Sequence, residues 1–241
     1  RIIFVFLSLL FQCNIYAIHR DTIDKTIPHF KFEQIIIPSL MVSYGYISIA
    51  SKNVRSFDYK INEATQGFRH YSIDDYLLYT PLVVDLGLTL SGYKSKHNYP
   101  QKLGRYLIST VINGLMVYPV KSLTVRERPD LSDQKSFPSG HTSNAFVGAE
   151  FFWQEYNHKS KWLASSGYLI AATTGYLRMY NNKHWFSDVV TGAGIGIAST
   201  QLSYWLYPKI KKAFSKNKPS NTIVMPTYNN GTFGLSFNKQ F

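Results

Sequence analysis

The sequence predicts an all-α protein, a helical bundle that ends in a short C-terminal β-hairpin. Apolar residues recur at helical spacing through most of the chain, and the alternation typical of strands occurs only near its end. Hydrophobic residues make up 45% of the 241 residues and charged residues 17%, which excludes a disordered chain. The length suits one domain, with room for a small appendage and a sizeable core.

The start of the chain, RIIFVFLSLLFQCNIYA, is typical of a secretory signal peptide covering residues 1–17. A cation leads, an apolar run follows, and Ala17 closes a cleavage region. A short membrane anchor is the alternative, but the apolar run is short for a span. Cys13, the one cysteine, lies inside this segment in a poor match to a lipobox, so the mature chain is expected to lack disulfides and cysteine metal sites. We therefore expect an exported, periplasmic protein.

Apolar periodicity predicts the helices of the bundle near residues 34–50, 74–92, 101–121, 142–156, 162–178 and 187–206. The polar residues between the first two helices are interpreted as an exposed connection, so that residues 18–73 form an N-terminal helix and a connection. Residues 74–208 form the main bundle. Pro208 is expected to end the last helix, which makes residues 209–241 a basic linker and a tail. Asn229, Asn230 and Gly231 lie between two alternating runs and predict a hairpin there.

The glycines Gly192, Gly194 and Gly196 in TGAGIGIAS admit two interpretations. A dinucleotide fingerprint needs a preceding strand and a different spacing. Because these glycines lie inside an apolar helical run, we expect them to permit close helix packing.

The net charge of +12 favours anionic partners such as phosphate esters or acidic lipid headgroups. No nucleic-acid-binding motif accompanies the charge, so no nucleic acid partner is expected. The charge-free runs 34–51 and 189–208 approach spanning length, but polar residues dilute them, and they are interpreted as buried helices. Eighteen tyrosines and four tryptophans suit a protein that rests on a membrane surface, an aromatic core being the alternative.

The first group of candidate site residues is KSLTVRERP, which places Lys121 and Arg128 seven residues apart, with Pro129 next. Seven residues are nearly two helical turns, so both cations are expected on one helix face, and Pro129 is expected to stop the helix at Arg128. Arg126 and Glu127 add charge between them. Considered alone, the group is equally typical of a solvated helix end.

The second group is SFPSGHTSNAF, residues 136–146, where Ser139, Gly140 and His141 precede an apolar helix. The backbone N–H groups of a helix start and the Ser139 hydroxyl together form an anion cradle. Gly140 lets the backbone approach closely, and His141 can handle a proton beside the bound anion. A capped helix with an incidental histidine is the alternative.

The third group places Arg178, His184 and Asp188 at the spacing R-x5-H-x3-D. If a helix begins near Trp185, Asp188 lies one turn beyond His184 and can accept its Nδ1–H. That contact fixes the tautomer and leaves Nε2 as a nucleophile. A structural His–Asp hydrogen bond is the alternative for this pair alone.

Taken in order, K-x6-R-P, P-S-G-H and R-x5-H-x3-D resemble the signature of the type 2 phosphatidic acid phosphatase (PAP2) superfamily, which also includes bacterial non-specific acid phosphatases and vanadium haloperoxidases. The motifs run from Lys121 to Asp188, and the helices from about 74 to 206 fit a PAP2-type bundle. The chain departs at Leu177, where the family usually has a serine that contacts phosphate. The stretch from DDYLLYTP to the tail is further similar to PAP2 proteins of the Bacteroidetes type, some of which act on lipid A.

The resemblance implies a role for each residue, and the chemistry of the residues agrees. His184 attacks phosphorus and becomes a phosphohistidine, while Asp188 orients it. His141 protonates the leaving oxygen and then activates water. The oxygens of the phosphate are held by five residues, Lys121, Arg128, Ser139, Gly140 and Arg178. No metal and no other cofactor is expected, because cations and a helix terminus supply the positive charge.

We therefore expect a phosphoric monoester or diphosphate hydrolase that acts on a phosphorylated membrane lipid, of the lipid A, undecaprenyl diphosphate or phosphatidate class. The expected partners are that substrate and a membrane surface. A soluble periplasmic non-specific acid phosphatase for small phosphate esters is the alternative. Vanadate-dependent halide oxidation is less favoured, because such enzymes are usually larger.

Overall fold

The computed structural model describes residues 30, 32–67, 71–215, 222–229 and 232–239. The predicted signal peptide, Cys13 and the Asn230–Gly231 turn lie outside these residues. The helices and strands have the following bounds: α1 Glu33–Ala50, α2 Lys52–Thr65, α3 Asp74–Leu77, α4 Thr80–Leu90, α5 Tyr99–Leu123, α6 Gly140–Tyr156, α7 Lys161–Tyr180, α8 Phe186–Ser215, β1 Thr222–Asn229 and β2 Thr232–Lys239.

The predicted all-α bundle is confirmed, and α8 is its central helix. It packs against α1, α5 and α6, while α7 packs on the other side of α6. Phe151, Phe152 and Tyr156 of α6 are almost completely buried, as is Phe137 just before that helix. Burying large aromatic side chains contributes roughly 1.5–3 kcal/mol each, so α6 is held firmly where its first residues reach the predicted site.

The segment before residue 74 is mostly exposed, as predicted, but residues 52–65 form the helix α2 rather than a connection. The segment is so polar that hydropathy does not predict any buried residue in it. Its buried residue is Asp58, an acid whose carboxylate is satisfied by Ser48, Arg126 and Ser187. A helix anchored by a paired charge leaves little apolar signal in the sequence.

Two predicted helix boundaries also differ from the structure. The helix expected over 74–92 is broken into α3 and α4, and Pro81 lies in the first turn of α4, where its missing N–H costs nothing. The expectation that Pro208 ends the last helix is wrong, since α8 continues to Ser215. The Lys209 ammonium lies 3.4 Å from the centroid of the Trp205 ring, one turn back, and this contact across Pro208 helps the helix to continue.

The two strands pair antiparallel, from Thr222 opposite Lys239 to Asn229 opposite Thr232. The residues that join them lie outside the described part of the chain. The predicted β-hairpin tail therefore stays a prediction.

Within the described residues, no single helix has both the length and the apolar composition of a membrane span. The pair α1 and α2 meets that test only when counted together, with a bend of 101° between the two helices.

The glycines of α8 permit close helix packing, as predicted. A Cβ on Gly192 would lie 2.5 Å from the Ser139 carbonyl oxygen, and one on Gly196 would lie 2.3 Å from that of Ser143. Both distances are far below van der Waals contact, and both opposing atoms belong to the backbone of the first turn of α6 or its cap. The two helices thus touch through their main chains, next to the predicted site.

We expect Gly196→Ala to destabilise the fold by about 1–3 kcal/mol, because the added methyl group must push α6 and α8 apart. The matched control is Gly87→Ala in α4, where nothing lies within 4 Å of the new Cβ. There we expect a gain of about 0.5–1 kcal/mol from helix propensity. The free energy of unfolding in urea would measure both. Equal stability changes for the two variants would contradict the backbone contact between α6 and α8.

Candidate active site

The predicted site residues come together at one end of the bundle, where four helix ends meet. Lys121 lies in the last turn of α5 and Arg178 in the last turn of α7. Gly140 begins α6, and Asp188 lies in the first turn of α8. The N-termini of α6 and α8 add positive potential to the cations, so the region attracts anions.

His184 is almost completely buried, just before α8. Its Nδ1 lies 3.6 Å from Oδ2 of Asp188, slightly beyond hydrogen-bond distance, and has no other partner within the described residues. Burial lowers the pKa of His184 to about 4, with Asp188 acting in the opposite direction. The imidazole is therefore neutral at neutral pH, as a nucleophile must be.

Asp188 is fully buried and accepts hydrogen bonds from several groups. The Trp185 N–H donates to Oδ2 at 2.9 Å, the Ser136 hydroxyl donates to the same oxygen, and Arg126 Nη1 donates to Oδ1 at 2.6 Å. Burial alone would raise the pKa of the carboxyl, but the contact with His184 and the Arg126 cation lower it overall. Asp188 thus carries its negative charge beside the His184 ring.

Two acidic residues of α3 hold the other half of the site. Arg178 Nη1 lies 2.6 Å from Oδ2 of the buried Asp74, whereas its buried Nε has no partner within the described residues. His141 Nε2 lies 2.9 Å from Oδ1 of Asp75, which is half exposed. Burial and the Arg178 cation lower the pKa of His141, while Asp75 opposes that change.

Lys121 and Arg128 do not share a helix face, so that part of the prediction is wrong. Helix α5 ends at Leu123, and Arg128 lies in the loop that follows. The loop folds back, so that Lys121 Nζ donates to the Lys135 carbonyl at 2.7 Å and Arg128 Nε to Asp133 at 2.7 Å. Burial, together with repulsion by Arg128, lowers the pKa of Lys121 to about 8.

Ser139 is the N-cap of α6, and its hydroxyl is buried. The hydroxyl lies 2.9 Å from the Thr142 hydroxyl and accepts a bond from the Thr142 N–H. The backbone N–H of Ser139 donates to the Asp188 carbonyl at 3.0 Å, and this bond links the start of α6 to the start of α8. Gly140 has open space where a side chain would project. The open face of the cradle is therefore at Gly140 rather than at the Ser139 hydroxyl.

The residues that form hydrogen bonds with the predicted site residues were not predicted from the sequence. Asp74, Asp75 and Ser136 contact Arg178, His141 and Asp188, and Arg126 was noted only as extra charge. Adjacent acids in a chain with 14 acidic and 26 basic residues were an available signal for ion pairing with a cationic site. Across the described residues, no group of three His, Cys, Asp or Glu side chains could hold a metal ion.

Comparison with known proteins agrees with the predicted family. Residues 102–212 match the PAP2 superfamily. Over 144 residues, 58% of this chain, the sequence is 38% identical to a lipid A 1-phosphatase of Porphyromonas gingivalis, and the match covers 32% of that relative. The chain thus spans about a third of the length of the curated relative it matches.

Two solved structures are similar at low sequence identity. LpxE of Aquifex aeolicus has a TM-score of 0.47 at 22% identity, over 60% of this chain and 93% of that one. A transmembrane PAP2 type phosphatidylglycerolphosphate phosphatase of Bacillus subtilis has a TM-score of 0.48 at 20% identity, over 78% of this chain and 100% of that one.

The lowered pKa of Lys121 predicts an alkaline limit for anion binding. The charge of Lys121 is present below about pH 8 and is lost above it, so the affinity for inorganic phosphate should fall as the pH rises through that value. Lys121→Arg should retain that affinity above pH 8, because arginine stays charged. Lys161→Arg, an exposed change at the opposite end of α7, is the control and should leave the decline in place. A wild-type affinity that is constant from pH 7 to 10 would refute the assignment.

Proposed function

We propose that this chain, whose residues 102–212 match the PAP2 superfamily, is a metal-independent phosphatase of that superfamily. Its substrate is a phosphorylated membrane lipid, and the reaction passes through a phosphohistidine at His184. The observation that carries the proposal is the meeting of His184, His141 and three cations at one end of the bundle.

The charges of the site suit a phosphoryl group. Lys121 donates to a backbone carbonyl, whereas Arg128 and Arg178 each donate to a carboxylate. Arg178 Nε is a buried donor without a partner in the described part of the chain, and such a donor costs about 1–3 kcal/mol until it is satisfied. A phosphate oxygen satisfies that nitrogen and leaves the Asp74 contact of Nη1 intact. The open backbone at Gly140 supplies a further N–H.

The first step is attack of His184 Nε2 on phosphorus in line with the departing oxygen. The bond from phosphorus to the alcohol oxygen breaks, and His141 gives its proton to that oxygen. In this step the leaving oxygen replaces Asp75 as the partner of His141 Nε2. Asp188 accepts the Nδ1–H of His184 and stabilises the positive charge that develops on the ring.

The second step releases phosphate. His141, now neutral, removes a proton from water, and the resulting hydroxide attacks phosphorus opposite His184. The bond from phosphorus to Nε2 breaks, and the imidazole returns to its neutral form. Positive charge from Lys121, Arg128 and Arg178 stabilises the equatorial oxygens in both transition states.

An exposed apolar stripe on α5 supports a lipid substrate. Leu107, Val111, Leu115 and Tyr118 are spaced by three or four residues and are 54–71% exposed, so they lie on one face of the helix. This stripe extends roughly 17 Å along the helix axis toward the site, given the rise of about 1.5 Å per residue. Contiguous exposed apolar surface of this kind favours contact with lipid chains. The match to a lipid A 1-phosphatase makes lipid A our first substrate to test.

Replacing the nucleophile tests the mechanism. We expect His184→Ala to lower kcat by at least about a thousandfold, since covalent catalysis is lost, and to remove acid-labile phosphate from the quenched protein. His158→Ala, which changes an exposed histidine after α6, is the control and should retain full activity. All assays contain excess EDTA. Undiminished turnover in folded His184→Ala, or loss of wild-type turnover in EDTA that Mg²⁺ restores, would sink the mechanism.

A substrate panel separates the lipid phosphatase from a phosphatase for small esters. We expect kcat/KM for detergent-solubilised lipid A to exceed that for p-nitrophenyl phosphate by about a hundredfold or more, because tail contacts help to orient the phosphate. Val111→Ser with Leu115→Ser should reduce liposome binding and lipid turnover while leaving turnover of the small ester unchanged. Equal efficiency on both substrates would favour the soluble acid phosphatase.

A further inference from the structure

A buried carboxylate outside the matched segment reaches the candidate site. Asp58 of α2 is fully buried and precedes residues 102–212 by more than forty positions. It accepts hydrogen bonds from the Ser48 hydroxyl at 2.6 Å, from the Ser187 N–H at 3.0 Å and from the Ser187 hydroxyl at 2.6 Å. Ser187 is next to Asp188, so α2 is fastened to the first turn of α8.

The fourth hydrogen-bond donor to Asp58 is the side chain of Arg126, whose guanidinium lies between two carboxylates. Nη2 is 2.6 Å from Asp58 Oδ2, and Nη1 is 2.6 Å from Asp188 Oδ1. The backbone of Arg126 is itself fixed, because its N–H donates to the Gln134 carbonyl and its carbonyl accepts from the Ser136 N–H, both at 3.0 Å. The cation therefore has little freedom to leave Asp188.

We propose that Asp58 is a positioning residue for the phosphatase reaction, acting through Arg126 on Asp188 and thereby on His184. The inference rests on the proposed function of the site. Asp58 touches neither the substrate nor the His184 ring. It sets the orientation and the effective charge of the carboxylate that does touch that ring.

Asp58 acts on His184 through its charge. Asp58, Arg126 and Asp188 together carry a net charge of −1, which faces an imidazole that becomes positive when it is phosphorylated. Without the charge of Asp58, Arg126 neutralises Asp188, and the developing positive charge is no longer stabilised. In a buried site such an interaction is weakly screened. Without Arg126, the two carboxylates would carry −2 and would favour imidazolium more strongly.

The other charged groups that face His184 stay constant in this comparison. Lys121 comes from α5 and Arg178 from α7, and both cations disfavour imidazolium. His141 of α6 is itself affected by the Arg178 cation, which lowers its pKa. None of these residues contacts Asp58 or Arg126, so changes at those two positions alter one term of the electrostatics at a time.

The experiment compares the acidic limb of the pH profile, which is the fall of kcat/KM at low pH, between the wild type and variants. This limb reports protonation of His184 in the free enzyme. In Asp58→Asn we expect a shift of about one pH unit to lower pH, with kcat reduced about tenfold or more and KM unchanged. In Arg126→Gln we expect the limb to move to higher pH. The double variant returns the net charge to −1, and its limb should return toward the wild-type position.

A matched control separates charge from stability. Asp85 is also a buried acid, paired with Lys102 at 2.7 Å near the opposite end of the bundle. Asp85→Asn should lower the free energy of unfolding at least as much as Asp58→Asn, because Lys102 loses its carboxylate partner, whereas Arg126 keeps Asp188 in the Asp58 variant. It should not move the acidic limb. A limb that moves equally in both asparagine variants would mean that Asp58 is only structural.

NMR of the ¹⁵N-labelled imidazole measures the titration of His184 without turnover. It therefore tests the positioning role of Asp58 separately from the proposed phosphatase function. If the wild type has no phosphatase activity, the proposed function fails, and the titration still decides whether Asp58 and Arg126 shift His184 in opposite directions. If the wild type is active but both single variants leave the limb and the titration unchanged, the inference about Asp58 is overturned. Opposite shifts that cancel in the double variant support it.

Discussion

The burial of one negative charge, that of Asp188, is the constraint around which the candidate site is built. A carboxylate without access to water is very costly unless it is paired and hydrogen-bonded. The first turn of α8, the loop after α5 and, through Arg126, the helix α2 all supply partners to it. His184 and Arg128 lie on the same segments, so pairing this buried carboxylate also brings these two candidate site residues into place.

Three basic side chains of the candidate site are paired with acidic residues. Asp74 contacts Arg178, Asp75 contacts His141, and Asp133 contacts Arg128. Under the proposed function, binding of a phosphate therefore exchanges one anionic partner for another at most of these groups. The buried pair with Asp74 fixes Arg178, whereas the half-exposed Asp75 and Asp133 are easier to displace. Surface pairs of this kind contribute little to stability, about 0–1 kcal/mol each, so their release is not a large barrier to binding.

The sequence predicted what depends on regular spacing and missed what depends on tertiary pairing. The helices around the site follow from apolar periodicity, and the spacing of His184 and Asp188 follows from one helical turn. Asp58 was missed because it lies in a polar segment, where hydropathy predicts solvent exposure. Pro208 was misjudged because a local rule about proline cannot include the contact of Lys209 with Trp205. Arg128 was misplaced on α5 because the loop after Leu123 is held by backbone bonds that no residue pattern reports.

The main-chain contact of α6 and α8 at Gly192 and Gly196 has a geometric consequence for the two histidines. His141 is the second residue of α6, and His184 lies just before α8, so the separation of their Cα atoms is set by the separation of the two backbones. Only the rotamers of the two rings can then adjust the space between them. In the proposed reaction, variation in the group attached to the phosphate must therefore be accommodated outside this space, by the loops and the exposed helix faces.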